Sequence, residues 1–360
     1  MTVESVSALL RREKFCDVDL SDPFFDSLKL DYLGFDEWFR NKAQNEALIF
    51  RSPEGSLEGF LFLKEEVGAV TDVCPNLENG RRLKIGTFKI NPHGTRLGER
   101  FVKRALDIAV SANIDELYVT VFEKHTALVK LFKKYGFIKV GEKNSLSGRE
   151  SVYLRKLSDV WGDVVLDYPR IPFKKNRHFV LSLYPRWHSR LLPDSLLNTE
   201  NSSILDDVSS TNSIHKIYLT AMSGVEQLLR GDTLMIYRTA AEGGSAYYTS
   251  VITSLCVVEA VKNINEFSDL ADFLAYCSSY SIFTRIELES FYQTRKYPWI
   301  ILFSYNLALT KRPNRKALLE EVGLAANIYW GFFNLTTPQL KLILKLSEDY
   351  EKTRSLVYSP

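Results

Sequence analysis

The stretch Leu83-Lys84-Ile85-Gly86-Thr87-Phe88-Lys89-Ile90-Asn91-Pro92-His93-Gly94-Thr95-Arg96-Leu97-Gly98 decides how this chain is read. Phe88 and Ile90 flank Lys89 at strand period, and Asn91-Pro92 ends the strand because proline donates no ladder hydrogen bond. Gly94 and Gly98 permit close backbone approach in the turn that follows. A helix starting near Thr95 aims its unpaired N–H groups and positive dipole end back at that turn, a geometry suited to pyrophosphate.

Working outward, Leu97, Phe101, Ala105, Ile108 and Ala109 recur at helical spacing and predict a buried stripe. Arg96, Arg100, Lys103 and Arg104 cluster at the start of the same helix, where cations oppose the dipole, so the placement favours an anionic ligand over a plain solvated face. A second strand reads from 117 to 122, and an amphipathic helix from 127 closes at Gly136-Phe137.

This order of elements resembles the GNAT (GCN5-related N-acetyltransferase) family, whose signature is Arg or Gln, two free positions, Gly, one free position, then Gly or Ala. The matching run is His93, Gly94, Thr95, Arg96, Leu97 and Gly98, with His93 departing at the first position and Arg96 standing where the family has its middle glycine. The 127–137 helix is similar to the family's ending A-x-x-L-Y-x-x-x-G-F. The resemblance covers residues 1–157 and implies a mixed α/β domain that holds acetyl-CoA, without a metal, between splayed parallel strands. Backbone groups near Phe88 and Ile90 would grip the pantetheine, and His93, Gly94, Thr95, Arg96, Leu97, Gly98 and Arg100 would hold the phosphates.

The family's thiolate-protonating tyrosine corresponds to Phe132, which has no hydroxyl; a positioned general acid is worth about 10²- to 10⁴-fold. Many relatives carry a carboxylate on the strand before the turn, and residues 84–87 offer none. Candidate catalytic residues are therefore Glu123, or an acid of the N-terminal helices, as base, with Tyr118, His125 and Tyr135 nearby in sequence. Tyr135 also falls on an apolar stripe with Leu128, Leu131 and Phe132, as a core aromatic does. Two helices are expected over 21–30 and 35–44. Their Asp22, Asp26, Asp31, Asp36 and Glu37 either draw a cationic amine to the acceptor cleft or sit as ordinary acids in solvated first turns.

From 158 to 212 the pattern becomes a basic connector and linker, with Arg186 and Trp187 among interleaved cations and aromatics that suit a nucleic-acid backbone and unstacked bases, or a strand packed between domains. Residues 194–213 read as a loop. After that, Lys216-Ile217-Tyr218-Leu219, the strand Thr233 to Arg238 entered by Gly231-Asp232, and a run over 247–252 resemble the PUA-like barrels of the EVE and ASCH branch. The fold class expected is therefore α/β followed by β: a GNAT domain (1–157), then a small PUA-like β-barrel domain with C-terminal helices (213–360). That resemblance implies a pocket facing nucleic acid, with Tyr237, Arg238 and Tyr248 as stacking and hydrogen-bonding candidates.

Composition agrees with a folded chain: 360 residues, 45% hydrophobic, 25% charged, net charge +2. Cys16, Cys74, Cys256 and Cys277 lack metal-site spacing. No run reaches the roughly 18–20 apolar residues of a membrane helix, and a charged N-terminal stretch without a signal core points to the cytoplasm. The leading functional expectation is acetyl-CoA-dependent N-acylation of an RNA-associated amine, such as aminoacyl-tRNA or an aminated base, with a toxin-like role and an antitoxin-like partner conceivable by fold analogy. The alternatives are a catalytically weak GNAT fold serving as an acyl-CoA-binding scaffold beside a nucleic-acid-reading module, and acetylation of a small molecule or protein with the second domain mediating a homodimer.

Overall fold

A computed structural model describes residues 10–52, 54–92, 94–197 and 208–359. The chain divides into two compact units, Met1–Asp159 and Val160–Pro360.

The first unit is built on seven strands: β1 (Arg11–Lys14), β2 (Glu46–Arg51), β3 (Leu57–Val70), β4 (Leu77–Ile90), β5 (Glu116–Val121), β6 (Ile138–Ser145) and β7 (Gly148–Lys156). They lie in the order β1-β2-β3-β4-β5-β7-β6, and every pair is antiparallel except β4 with β5. Four helices flank this sheet: α1 (Asp26–Asp31), α2 (Phe35–Arg40), α3 (Leu97–Ser111) and α4 (Thr126–Lys134). Alternation along β3 sorts them. Phe60 packs on Phe25 and Phe39 of the α1–α2 side, while a Cβ at neighbouring Gly59 would touch Phe101 of α3.

The strand expected over 83–90 is the second half of the longer β4, which pairs with β3 in a hairpin along its whole length. The helix 21–30 is shorter than expected: Pro23–Phe25 is a single 3₁₀ turn capped by Asp22, and α1 ends where Tyr32 turns extended. Eleven buried apolar and aromatic side chains, among them Phe15, Phe25, Phe39 and Phe60, fill the space under α1 and α2, and each buried ring contributes about 1.5–3 kcal/mol.

The second unit carries β8 (Ile171–Pro172), β9 (His178–Leu183), β10 (His215–Thr220), β11 (Thr233–Arg238), β12 (Val251–Asn263), β13 (Trp299–Ala308), β14 (Phe332–Leu335) and β15 (Val357–Tyr358). Six of them form a sheet ordered β10-β13-β12-β11-β9-β14, with β9 and β11 parallel; among the described residues no ladder joins β10 to β14. Residues 158–212 do not all behave as a connector. The fully buried β9 lies inside this sheet, because all six of its residues find partners on β11 and β14 and lose their solvent. Two extended runs become helices: Pro185 starts Pro185–Leu191, where its missing N–H costs nothing, and Ala246–Thr249 precedes β12. No helix among the described residues is long and apolar enough to cross a membrane.

Candidate active site

The site begins with a bulge. β4 and β5 pair only from Arg82↔Glu116 to Ile85↔Val119, after which β4 continues to Ile90 without β5 beside it. On the other edge the register of β3 slips: Leu63 faces Ile85 and Phe62 faces Thr87, so Gly86 is the extra residue. A Cβ on Gly86 would stand 2.9 Å from the ring of Phe62, so glycine is required there. The bulge also resets the alternation. Buried Leu83 and Ile85 share a face with Phe88, which packs on Phe101 and Phe132, whereas Lys84 and Lys89 point to the α1–α2 side. That switch is visible in the sequence, where apolar residues move from odd to even positions across Gly86.

The splayed strands open onto a cavity of about 800 Å³ in the first unit. Gly86, Phe88 and Ile90 line it from β4, Val119 and Val121 from β5, Leu128 and Leu131 from α4, and Asp31, Tyr32 and Trp38 from the α1–α2 side. Pro92 lies at the end where α3 begins. Gly98, in the first turn of α3, touches this wall closely: a Cβ there would meet Leu131 at 2.9 Å and Ile90 at 3.3 Å. Gly94 has φ +82°, and Arg96, the residue before the helix, has φ +58°. The left-handed backbone that glycine adopts without strain is thus kept here by an arginine, at a cost of about 1–2 kcal/mol. His93 lies outside the described residues. Thr95 and Leu97 belong to the same turn and helix start, with Leu97 buried.

The basic helix differs from the expectation. Arg100 and Lys103 are buried, Lys103 is held by Asp107 at 2.7 Å, and Arg96 pairs with Glu99 at 3.2 Å, so these cations form no open basic face. Burial at the start of α3 runs right round the helix, so it takes in the 100 and 103 positions as well as the stripe of Phe101 and Ala105.

Of the expected catalytic residues, Tyr118 reaches the site indirectly. It is fully buried and donates a 2.5 Å hydrogen bond to Glu66, which lines the cavity. Glu123 sits away from the cavity lining, bonded by Tyr153 at 2.9 Å with Lys139 at 3.6 Å. Tyr135 is a fully buried core residue outside the lining, as its apolar stripe requires. Phe132 is likewise buried, against Phe88 and Phe137.

Sequence reading missed Glu66, Lys64 and Lys84. Lys64 and Lys84 are register partners, and Glu66 is two residues along on the same face, so the three converge with Tyr118. Burial opposes ionisation of Glu66, but the hydrogen bonds from Lys64 and Tyr118 and the charges of Lys84 and Lys64 outweigh it and hold its pKa below the usual value. Burial pushes the Lys84 pKa down, against the pull of Glu66 3.9 Å away.

The acids of 21–44 do not gather in the cleft. Only Asp31 lines the cavity, and it is taken by Lys124 at 2.5 Å and His125 at 2.9 Å. Tyr32 donates to Glu150 at 2.9 Å, and the Leu33 N–H to Ser147 at 2.9 Å, so the α1–α2 turn is fastened to both the β5–α4 loop and the β6–β7 hairpin.

In the second unit the nucleic-acid candidates separate. Tyr237 and Arg238 are buried in β11, with Tyr237 packed on Trp330. Tyr248 is 61% exposed; Arg186 is exposed with its guanidinium 4.5 Å over the half-buried ring of Trp187.

No family model and no curated protein sequence matches the chain. Parts of it are similar to solved structures of two kinds. An ASCH protein from Zymomonas mobilis matches with 10% identity over 48% of this chain and 96% of its own, TM-score 0.31. An acyl-CoA N-acyltransferase from Pseudomonas aeruginosa matches with 18% identity over 41% of this chain and 98% of its own, TM-score 0.29. The NatC complex bound to a Gag peptide and CoA matches with 16% identity over 42% of this chain and 99% of that chain, TM-score 0.29.

Proposed function

We propose that the first unit is an acyl-CoA-dependent N-acyltransferase. The observation that carries this reading is the β4–β5 splay, opened by the Gly86 bulge onto a cavity that runs to the start of α3. With β3 on one edge and no β5 on the other, 86–90 keeps backbone groups free along that second edge, which suit the amides of a pantetheine arm and the carbonyl of a thioester. The N–H groups at the start of α3 suit its pyrophosphate. In the reaction an amine nitrogen attacks the thioester carbonyl, the C–N bond forms, the nitrogen gives up a proton, the C–S bond breaks and the thiolate leaves. With Phe132 in the core, the sulfur receives no phenol from α4.

The second unit supports a reading in which the acceptor amine is associated with RNA, such as an aminoacyl-tRNA. Exposed Tyr184, Tyr248 and Tyr329, with Arg186 stacked on Trp187, are groups that bind unpaired bases. The test is incubation of the protein with acetyl-CoA and separate pools of charged tRNA, total RNA and small amines, read by mass shift and free CoA release. Turnover on none of them, despite CoA binding, leaves the scaffold function that buried Phe132 favours. RNA retention that does not weaken between two salt concentrations counts against the RNA partner.

A further inference from the structure

The cavity wall carries a charge bias. Six lysines (Lys42, Lys64, Lys84, Lys89, Lys124 and Lys143) line it with Asp31, Glu66 and Glu150, a net +3 with His125 neutral. Each of the three carboxylates is already engaged: Asp31 by Lys124 and His125, Glu66 by Lys64 and Tyr118, and Glu150 by Tyr32. Lys84 has its nearest carboxylate oxygen 3.9 Å away, beyond hydrogen-bond reach.

Three of the six lysines gather at one end, where, among the described residues, only Glu66 and Asp72 answer them. Lys64 and Lys84 face each other across β3 and β4, and Lys143 of β6 joins them while holding Asp72 at 2.6 Å. Lys84 and Lys143 keep only 21% and 22% of their side chains exposed. Ammonium groups confined this way are costly unless an anion joins them. Burial pushes the Lys84 pKa down; Lys143 and Lys64 add to this, while Glu66 and Asp72 work against it. Lys84 and Ile90 are six strand steps apart, about 20 Å, so this end is distinct from the phosphate seat beside α3.

We propose that the Lys64, Lys84 and Lys143 end of the cavity binds an oxyanion carried by the acyl acceptor, which is then an amine with a carboxylate or phosphate group near its nitrogen. This rests on the acyl-transfer reading of the same cavity. The cations that hold the oxyanion also favour the neutral form of the adjacent amine, which is the form that attacks.

The experiment is calorimetric titration of CoA-loaded protein with three acetylated probes: N-acetylglycine, O-phospho-N-acetylethanolamine and the neutral N-acetylglycinamide. An anionic probe is expected to bind about tenfold or more tighter than the amide, and Lys84→Met is expected to remove that preference. The carboxylate and phosphate arms show which oxyanion is preferred. Lys143→Met repeats the measurement should Lys84→Met not fold. Equal affinity for the amide, an unchanged preference in a folded lysine variant, or no binding of either anionic probe overturns the proposal. CoA is titrated first into the ligand-free protein: failure at that step sinks the acyl-carrier reading itself, and is scored separately from the anion arms.

Discussion

The Tyr118 phenol reaches over β4 to place a 2.5 Å hydrogen bond on the Glu66 carboxylate of β3. A donor to a charged acceptor contributes about 1.5–3 kcal/mol, so Tyr118→Phe should lower unfolding free energy by that amount in a urea titration at pH 7. The Glu66 pKa is lower folded than unfolded, so its stabilisation is complete above the unfolded pKa near 4.5 and disappears as pH falls through the folded value. Glu66→Gln should flatten the acid side of the stability profile below about pH 4.5; an unaltered profile would show that the carboxylate is not linked to folding.

Gly86 tests the splay. Gly86→Ala puts a methyl 2.9 Å from buried Phe62, and overpacking of this kind costs about 1–3 kcal/mol. Because the bulge sets where β4 leaves β5, CoA affinity should fall along with stability. A variant that stays as stable and binds CoA equally well would remove the bulge from the account.

Phe132→Tyr separates core from catalysis. Phe132 is buried against Phe88 and Phe137 and does not line the cavity, so an added hydroxyl lands among aromatic rings without a partner. The expected result is a stability loss of about 1–3 kcal/mol and no gain in acetyl transfer. A rise in turnover would place that hydroxyl at the thioester sulfur.

His188 makes the second unit acid-sensitive. Fully buried between Thr253 and Ser189, it is kept neutral by burial and then by the charges of Arg238 and Arg312, with its pKa pushed down to about 3. The unfolded chain takes up that proton more readily, so stability is full above about pH 6.5 and falls as pH drops towards 3. At pH 4.5 the loss from this residue is about 2–3 kcal/mol. His188→Gln should narrow the difference between denaturation at pH 7 and pH 4.5 by a similar amount.

The strand, turn and helix of 83–111 were legible because proline, glycine and apolar spacing act over a few residues. The chemistry at their centre was not. Glu66 and Tyr118 stand 52 positions apart, and only the pairing of β3 with β4 and of β4 with β5 brings them together. The basic helix misled for a related reason: cations at its start mark an open anion site only if their positions face outward, and Arg100 and Lys103 turn inward. In the second unit the pattern of β11 was readable, but which of its side chains met solvent was not. That depended on what packs on each face of the sheet, as Trp330 does on Tyr237.

The α1–α2 turn is tied down by three contacts, from Asp31, Tyr32 and Leu33, to two other parts of the chain. The Tyr32 bond to the buried Glu150 carboxylate contributes about 1.5–3 kcal/mol, and an ion pair such as Lys124 with Asp31 about 0.2–1 kcal/mol. Lifting the turn requires all three to part together, so this rim acts as a threshold rather than a spring. Opening on this side is therefore cooperative, and added salt weakens the ion pair of Lys124 with Asp31 while leaving the bond from the Leu33 N–H to Ser147 in place.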